Sequence, residues 1–372
     1  MRRLAAVDGL RALAALWVVA FHIRAFSGGR LTAVPGLDLI LRSGSAGVSL
    51  FLVLSGFCLY VPYAGGRLDR FRTGSFLTRR CRRLMPTYYA SLVLVVAAYA
   101  IFGGRAGLPR SGAGSLAGQA VAHGLLVHQL LPSTFYGLNG AYWSLGLEWE
   151  LYLTLPLLVV AVRRIGLSRT LAAVVGLNVA YRFLLAGAIS HHLVAAHSVM
   201  ATDVLPNLFL GRWAEFALGM AAAELYRTGR VQAWGRGLRW AALPLAAGAL
   251  LTYGGTLSHL VFGAVFFCVL CTVLAGDNAV SKALSWRPLA GLGLMSYSLY
   301  LVHQPLVQVF AALLGAGHGT SPARVFLELV LLVPVIVLVA WVLFMVVERR
   351  SLAPAPAPAA GGHGLVAGGG AR

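Results

Sequence analysis

The chain has little charge. Of its 372 residues 11% are charged and 59% hydrophobic, and the mean hydropathy is +0.80. A soluble domain carries about a quarter of its residues as charges, so a water-soluble globular protein is excluded. Acidic residues are the scarcer sign, 11 against 30 basic ones, for a formal net charge of +19. That excess invites a nucleic-acid partner. The cations lie between apolar runs, however, and not along one polar face, which argues against nucleic acid and for membrane topology. Cysteine is also sparse: four residues imply no disulfide framework. Cys268 and Cys271 form a C-x-x-C, but inside VFFCVLCTVL they read as small apolar packing residues, not as a redox pair or zinc ligands. No internal repeat is evident, and no soluble domain is expected at either end.

Long apolar runs are what the chain does have. About twenty such residues cross a bilayer. Ten spans are expected, near 8–27, 44–64, 84–103, 141–162, 168–188, 204–226, 239–254, 257–275, 288–312 and 324–347. The seventh and eighth, joined at Tyr253-Gly254-Gly255-Thr256, are short. Most arginines fall in connections on one side of these spans, which places both termini in the cytoplasm. The expected fold is therefore all-α: a polytopic membrane helical bundle of about ten transmembrane helices in the plasma (inner) membrane. Residues 1–350 form the membrane domain, and 351–372, rich in Pro and Gly, form a disordered cytoplasmic tail. The N-terminus imitates a signal peptide, but Asp8, Arg11 and His22 inside the apolar run argue that it is retained as the first span. In the connection 104–140, the piece from Leu116 to Leu131 with His123 and His128 is too short for a span and reads as interfacial or re-entrant.

Ionisable groups within spans cost free energy and mark candidate sites. Arg11 and His22 are eleven residues apart, about three turns plus 20°, so they share a helix face roughly 16 Å apart. They read either as two ends of one site or as a snorkelling arginine and a packed histidine. The third span begins with Arg79-Arg80-Cys81-Arg82-Arg83-Leu84-Met85-Pro86-Thr87-Tyr88, four arginines in five positions. This cluster suits anionic lipid and topology, or a forked clamp on phosphate. In the fourth span Ser144, Glu148 and Tyr152 step by four and share a face. Glu148, roughly 10 Å in by helical rise, matches His22 in depth and could orient its imidazole. Glu150 points elsewhere. The ninth span aligns Ser296, Tyr300 and His303, with His303 about 22 Å along and again at the depth of His22. Ser49, Ser55 and Gly56 read as close-packing residues, and Arg212 with Glu215 as an internal neutralised pair. His191, His192 and His197 cluster in a loop without the companions a metal site needs, so no metal is expected.

These pieces, in order, resemble the acyltransferase 3 family of integral-membrane O-acyltransferases from Asp8 to about Glu348. The resemblance rests on Arg11–x10–His22, Val53-Leu54-Ser55-Gly56-Phe57, the run ending Arg83-Leu84-Met85-Pro86-Thr87-Tyr88, Trp143-Ser144-Leu145 with Glu148 and Tyr152, Ser296-Tyr297 with Tyr300 and His303, and the final Glu348-Arg349. The chain departs from the family at Ser49 and Trp149, where acids are common, and at Arg350, where proline is.

The resemblance implies transfer of a short acyl group, acetyl above all, from cytoplasmic acyl-CoA to a hydroxyl of a carbohydrate, glycolipid or glycosylated metabolite, with no tightly bound cofactor. Catalysis is then expected from His22, Glu148, His303 and Tyr300. Donor binding falls to Arg11, Arg79, Arg80, Arg82, Arg83 and Tyr88. The acceptor or oxyanion falls to Ser144, Tyr152, Ser296 and Tyr297. A transporter or flippase of a sugar- or lipid-linked substrate is the alternative, with the same ionisable groups forming a path.

Overall fold

A computed structural model describes residues 4–26, 35–102, 115–276, 278–313 and 322–352. Among them all regular secondary structure is helical, without a strand. The helices are α1 (Ala5–Phe26), α2 (Pro35–Arg42), α3 (Gly47–Tyr60), α4 (Thr73–Phe102), α5 (Leu116–Gly124), α6 (Trp143–Ile165), α7 (Leu167–Ser190), α8 (Phe209–Arg227), α9 (Val231–Leu251), α10 (Ser258–Leu274), α11 (Ala279–Leu284), α12 (Arg287–Leu294), α13 (Ser296–Leu313) and α14 (Pro322–Leu343). A wide turn over Phe344–Glu348 prolongs α14. The Pro- and Gly-rich tail lies, from 353 on, outside the described residues.

Among the described residues, six helical segments are by length and composition apolar enough to span a membrane: α1, α2 running into α3, α4, α6, α7 and α14 with its extension. This makes the chain a multi-pass membrane protein. The other expected spans fall short for identifiable reasons. The helix α8 holds Arg212, Glu215, Glu224 and Arg227. Trp234, Arg236, Arg239 and Trp240 interrupt the first half of α9, and α10 has only 17 residues. The expected ninth span breaks at Met295, which separates α12 from α13.

The first helix is central, packed against α3, α12, α13 and α14. Glycine permits the tightest crossings. A Cβ on Gly56 of α3 would collide with Phe216 O of α8, and one on Gly219 of α8 would collide with Val53 O of α3. Neither carbonyl can move without breaking its own helix, so Gly219→Ala overpacks the crossing. We expect a loss of about 1–3 kcal/mol, read as a lower unfolding temperature of the detergent-purified protein.

The connection between α4 and α6 is packed inward. Tyr88 OH donates to His123 O at 2.9 Å, and the His123 and His128 rings stack 4.1 Å apart. Burial pushes the His128 imidazole down to about 3, with His123 adding to the effect, and lowers His123 itself.

Candidate active site

A cavity of about 790 Å³ opens among α1, α3, α4, α6 and α13. The third helix lines it with Val48, Phe51, Leu52, Ser55, Cys58 and Leu59, a spacing of three and four that keeps one face on the cavity. From α4 come Arg80, Arg83 and Leu84; from α1, Arg11. The sixth helix adds Ser144, Leu145, Glu148 and Tyr152, and α13 adds Ser296, Tyr297 and Tyr300.

The arginine cluster divides. Because α4 begins at Thr73, all four arginines are already helical and project on different faces. Arg80 and Arg83, one turn apart, line the cavity, whereas Arg79 and Arg82 are exposed outside it, with Arg79 Nη2 donating to Tyr63 OH at 2.9 Å. Tyr88 also stays out of the main cavity and borders a smaller neighbouring one with Glu148 and Tyr297. Arg11 Nε reaches Ser296 Oγ at 3.3 Å. The buried Nε of Arg80 has no hydrogen-bond partner among the described residues. Three guanidiniums facing one carboxylate, Glu148, give the lining an excess of positive charge.

His22 and His303 meet beyond the cavity, Nδ1 to Nε2 at 3.2 Å. Their proton positions follow from their partners. Val18 O lies 2.9 Å from His22 Nδ1, and Tyr300 O lies 2.7 Å from His303 Nδ1. Carbonyls only accept, so both rings carry hydrogen on Nδ1. His22 Nδ1–H is then shared between Val18 O and His303 Nε2, which accepts. His22 Nε2 is left with its lone pair and no partner among the described residues. That is the tautomer a general base requires.

The sequence matched His22 with Glu148, but the structure pairs each elsewhere. Glu148 Oε1 accepts from Ser55 Oγ at 3.3 Å and from Tyr152 OH, both at the cavity wall. Tyr300 joins the two regions: its hydroxyl meets Ser144 Oγ at 2.6 Å in the cavity, and its ring packs 5.3 Å from that of His303.

Two supporting groups carried no strong sequence signal. Glu348 is buried and accepts from both Ser298 N and Ser298 Oγ, at 3.1 and 2.5 Å. It caps the first turn of α13 after the break at Met295 and so fixes Ser296 and Tyr297 at the cavity. Ser55, read from sequence as a packing residue, is the donor to Glu148. Glu150 accepts from Gln129 Nε2 and from Phe209 N, tying α6 to the start of α8. Cys268 and Cys271 are free thiols buried in α10, and His191, His192 and His197 do not converge with other ligands among the described residues.

The acyltransferase domain family matches residues 4–345. The chain is similar to the acyltransferase MdmB of Streptomyces mycarofaciens, at 29% identity over 96% of each chain. It is 26% identical to the peptidoglycan O-acetyltransferase OatA of Listeria monocytogenes, over 81% of this chain and 49% of that one. It is 28% identical to the exopolysaccharide production protein ExoZ of Rhizobium meliloti, over 76% of this chain and 83% of that one. No solved structure matches it. With its cation-lined cavity and paired histidines held inside a helical membrane bundle, the chain belongs to the acyltransferase 3 family and is a membrane O-acyltransferase.

Proposed function

We propose that this protein, in the plasma membrane, moves a short acyl group, acetyl above all, from cytoplasmic acyl-CoA to a hydroxyl of a carbohydrate or a glycosylated small molecule. One observation carries the reading: a cavity with three inward arginines leads toward a histidine whose ring nitrogen is poised as a base. Arg11, Arg80 and Arg83 take the CoA phosphates, since guanidinium forks bind phosphate oxygens in pairs. The acyl arm then runs along α1 for the roughly 16 Å between Arg11 and His22. Tyr300 and Phe51, whose rings meet edge to face at 5.9 Å, turn aside to let it reach the histidines.

His22 Nε2 removes the proton from the acceptor hydroxyl as the oxygen attacks the thioester carbonyl. The imidazolium so formed is held by Val18 O and by His303 Nε2, which keeps the ring in register. Once Tyr300 has turned, Ser144 Oγ, now 2.6 Å from its hydroxyl, is freed to donate to the oxyanion. Collapse of the tetrahedral intermediate breaks the carbon–sulfur bond. The leaving thiolate takes the proton from His22, which restores the base without a covalent acyl-enzyme. Glu148 acts at the donor end, where it balances part of the arginine charge and orders Tyr152.

The relatives support a hydroxylated acceptor. One is a peptidoglycan O-acetyltransferase by name and another an exopolysaccharide production protein. The test is to supply detergent-purified protein, with no membrane gradient, with acetyl-CoA labelled in the acetyl group and a panel of glycan and glycoside acceptors. Label on the acceptor supports the proposal. Binding without transfer to any acceptor of the panel contradicts the proposed acceptor class.

A further inference from the structure

A second, open basin of about 1050 Å³ lies where α7 ends and α9 turns into α10. This is the end of the bundle toward which α1 runs from Arg11 to His22. The basin does not share a lining residue with the arginine cavity. Hydroxyls of Ser45, Thr202, Tyr253 and Thr256 line it, together with Arg182 and His259.

Arg182 is buried, 7% exposed, and donates through both Nε and Nη2 to a single oxygen, Gly211 O, at 3.1 and 2.8 Å. Its Nη1 has no hydrogen-bond partner among the described residues. Next to it Arg212 is paired with Glu215 at 2.9 Å and donates to Ser49 Oγ at 3.1 Å. Two buried arginines thus share one carboxylate, and a surplus positive charge remains at the wall of the basin. Such a charge is costly to bury unless a counter-ion completes it. Arg212 Nη1 also donates to His259 Nδ1 at 2.8 Å. That nitrogen must accept, so the neutral ring holds its hydrogen on Nε2, a second N–H donor at the basin wall. Asp203, beside the lining residue Thr202, accepts from Tyr136 OH and Thr202 Oγ1.

We propose that this basin binds a carboxylate or phosphate group carried by the hydroxylated acceptor, away from the hydroxyl that reacts. The inference rests on the acyl-transfer reading above. One turn of helix, Ser43–Ala46, separates the basin from α1: Ser45 and Ala46 face the basin, and Gly44 lies directly against Trp17 O and Phe21 Cβ, next to His22. An acceptor whose acidic group sits on Arg182 and His259 extends over that turn to bring its hydroxyl to His22. A neutral acceptor lacks this anchor.

The test uses the full-length, detergent-purified protein and equilibrium dialysis against trigalacturonic acid and its methyl ester, with CoA binding followed in the same samples. Wild type is expected to bind the acid at least tenfold more tightly than the ester. Arg182→Gln removes the preference, and Arg182→Lys, which keeps the charge without the fork, retains part of it; CoA binding stays unchanged in both. Equal binding of acid and ester, no binding of either, or a preference that survives Arg182→Gln overturns the proposal. So does a result in nanodiscs in which phosphatidylglycerol displaces the trimer and Arg182→Gln weakens the lipid instead, since the basin is then a headgroup site. Loss of CoA binding by wild type would strike the donor reading, not this one.

Discussion

Replacing Arg80 and Arg83 together by glutamine is expected to weaken CoA binding roughly 10²–10⁴-fold, while the same change at Arg79 and Arg82 leaves it within about threefold. A charge-assisted hydrogen bond contributes about 1.5–3 kcal/mol and each 1.4 kcal/mol is about tenfold, so two lost forks give that range. The contrast comes from helical geometry: the four arginines form two pairs, each spaced by three on its own helix face, and only the face with Arg80 and Arg83 meets the cavity. Exposed cations act through screened solvent and count for little. Titration calorimetry on the purified variants reads the difference directly. If the two double variants bind CoA alike, the cavity does not hold the donor phosphates.

His22→Ala is expected to leave CoA binding intact and to lower turnover at least 10²–10⁴-fold, the usual range for a general base. His303 acts through His22, so its variants separate orientation from packing. His303→Leu removes the acceptor for His22 Nδ1–H and frees the ring to turn, which should cost turnover without moving the apparent affinity for the donor. His303→Gln restores an acceptor oxygen and is expected to recover most of the loss. A purely structural role would not respond in this way, because Leu and Gln fill similar volume. If both variants are equally slow, the histidine contact does not orient the base.

Much of this arrangement was legible along the chain, because a helix converts spacing into position. The steps from Arg11 to His22, from Ser144 to Glu148 and Tyr152, and from Ser296 to Tyr300 are local, and the cavity gathers most of those side chains. The division of the arginine cluster was harder to see. It depends on α4 starting at Thr73, well before the apolar run that marks the span, and on which face α13 and α6 cover. The partners of Glu148 and His22 were misjudged for a related reason. Depth along a helix is readable from residue counts, but the rotation of one helix against another is set by packing. Three groups at matched depth were thus sorted by rotation, which turned His22 toward His303 and left Glu148 facing Ser55. The break at Met295 escaped notice because α12 and α13 are both apolar, and the carboxylate that caps the new start, Glu348, is 50 residues away.

The central claim is that one continuous path joins the arginine cavity to His22. The most direct measurement is a structure of the wild-type protein with an acyl-CoA bound. Our account predicts the CoA phosphates among Arg11, Arg80 and Arg83, Tyr300 turned from its present position, and the thioester carbonyl within reach of a hydroxyl placed at His22 Nε2. Phosphates bound instead at Arg79 and Arg82, or an acyl group lying away from both histidines, would contradict it.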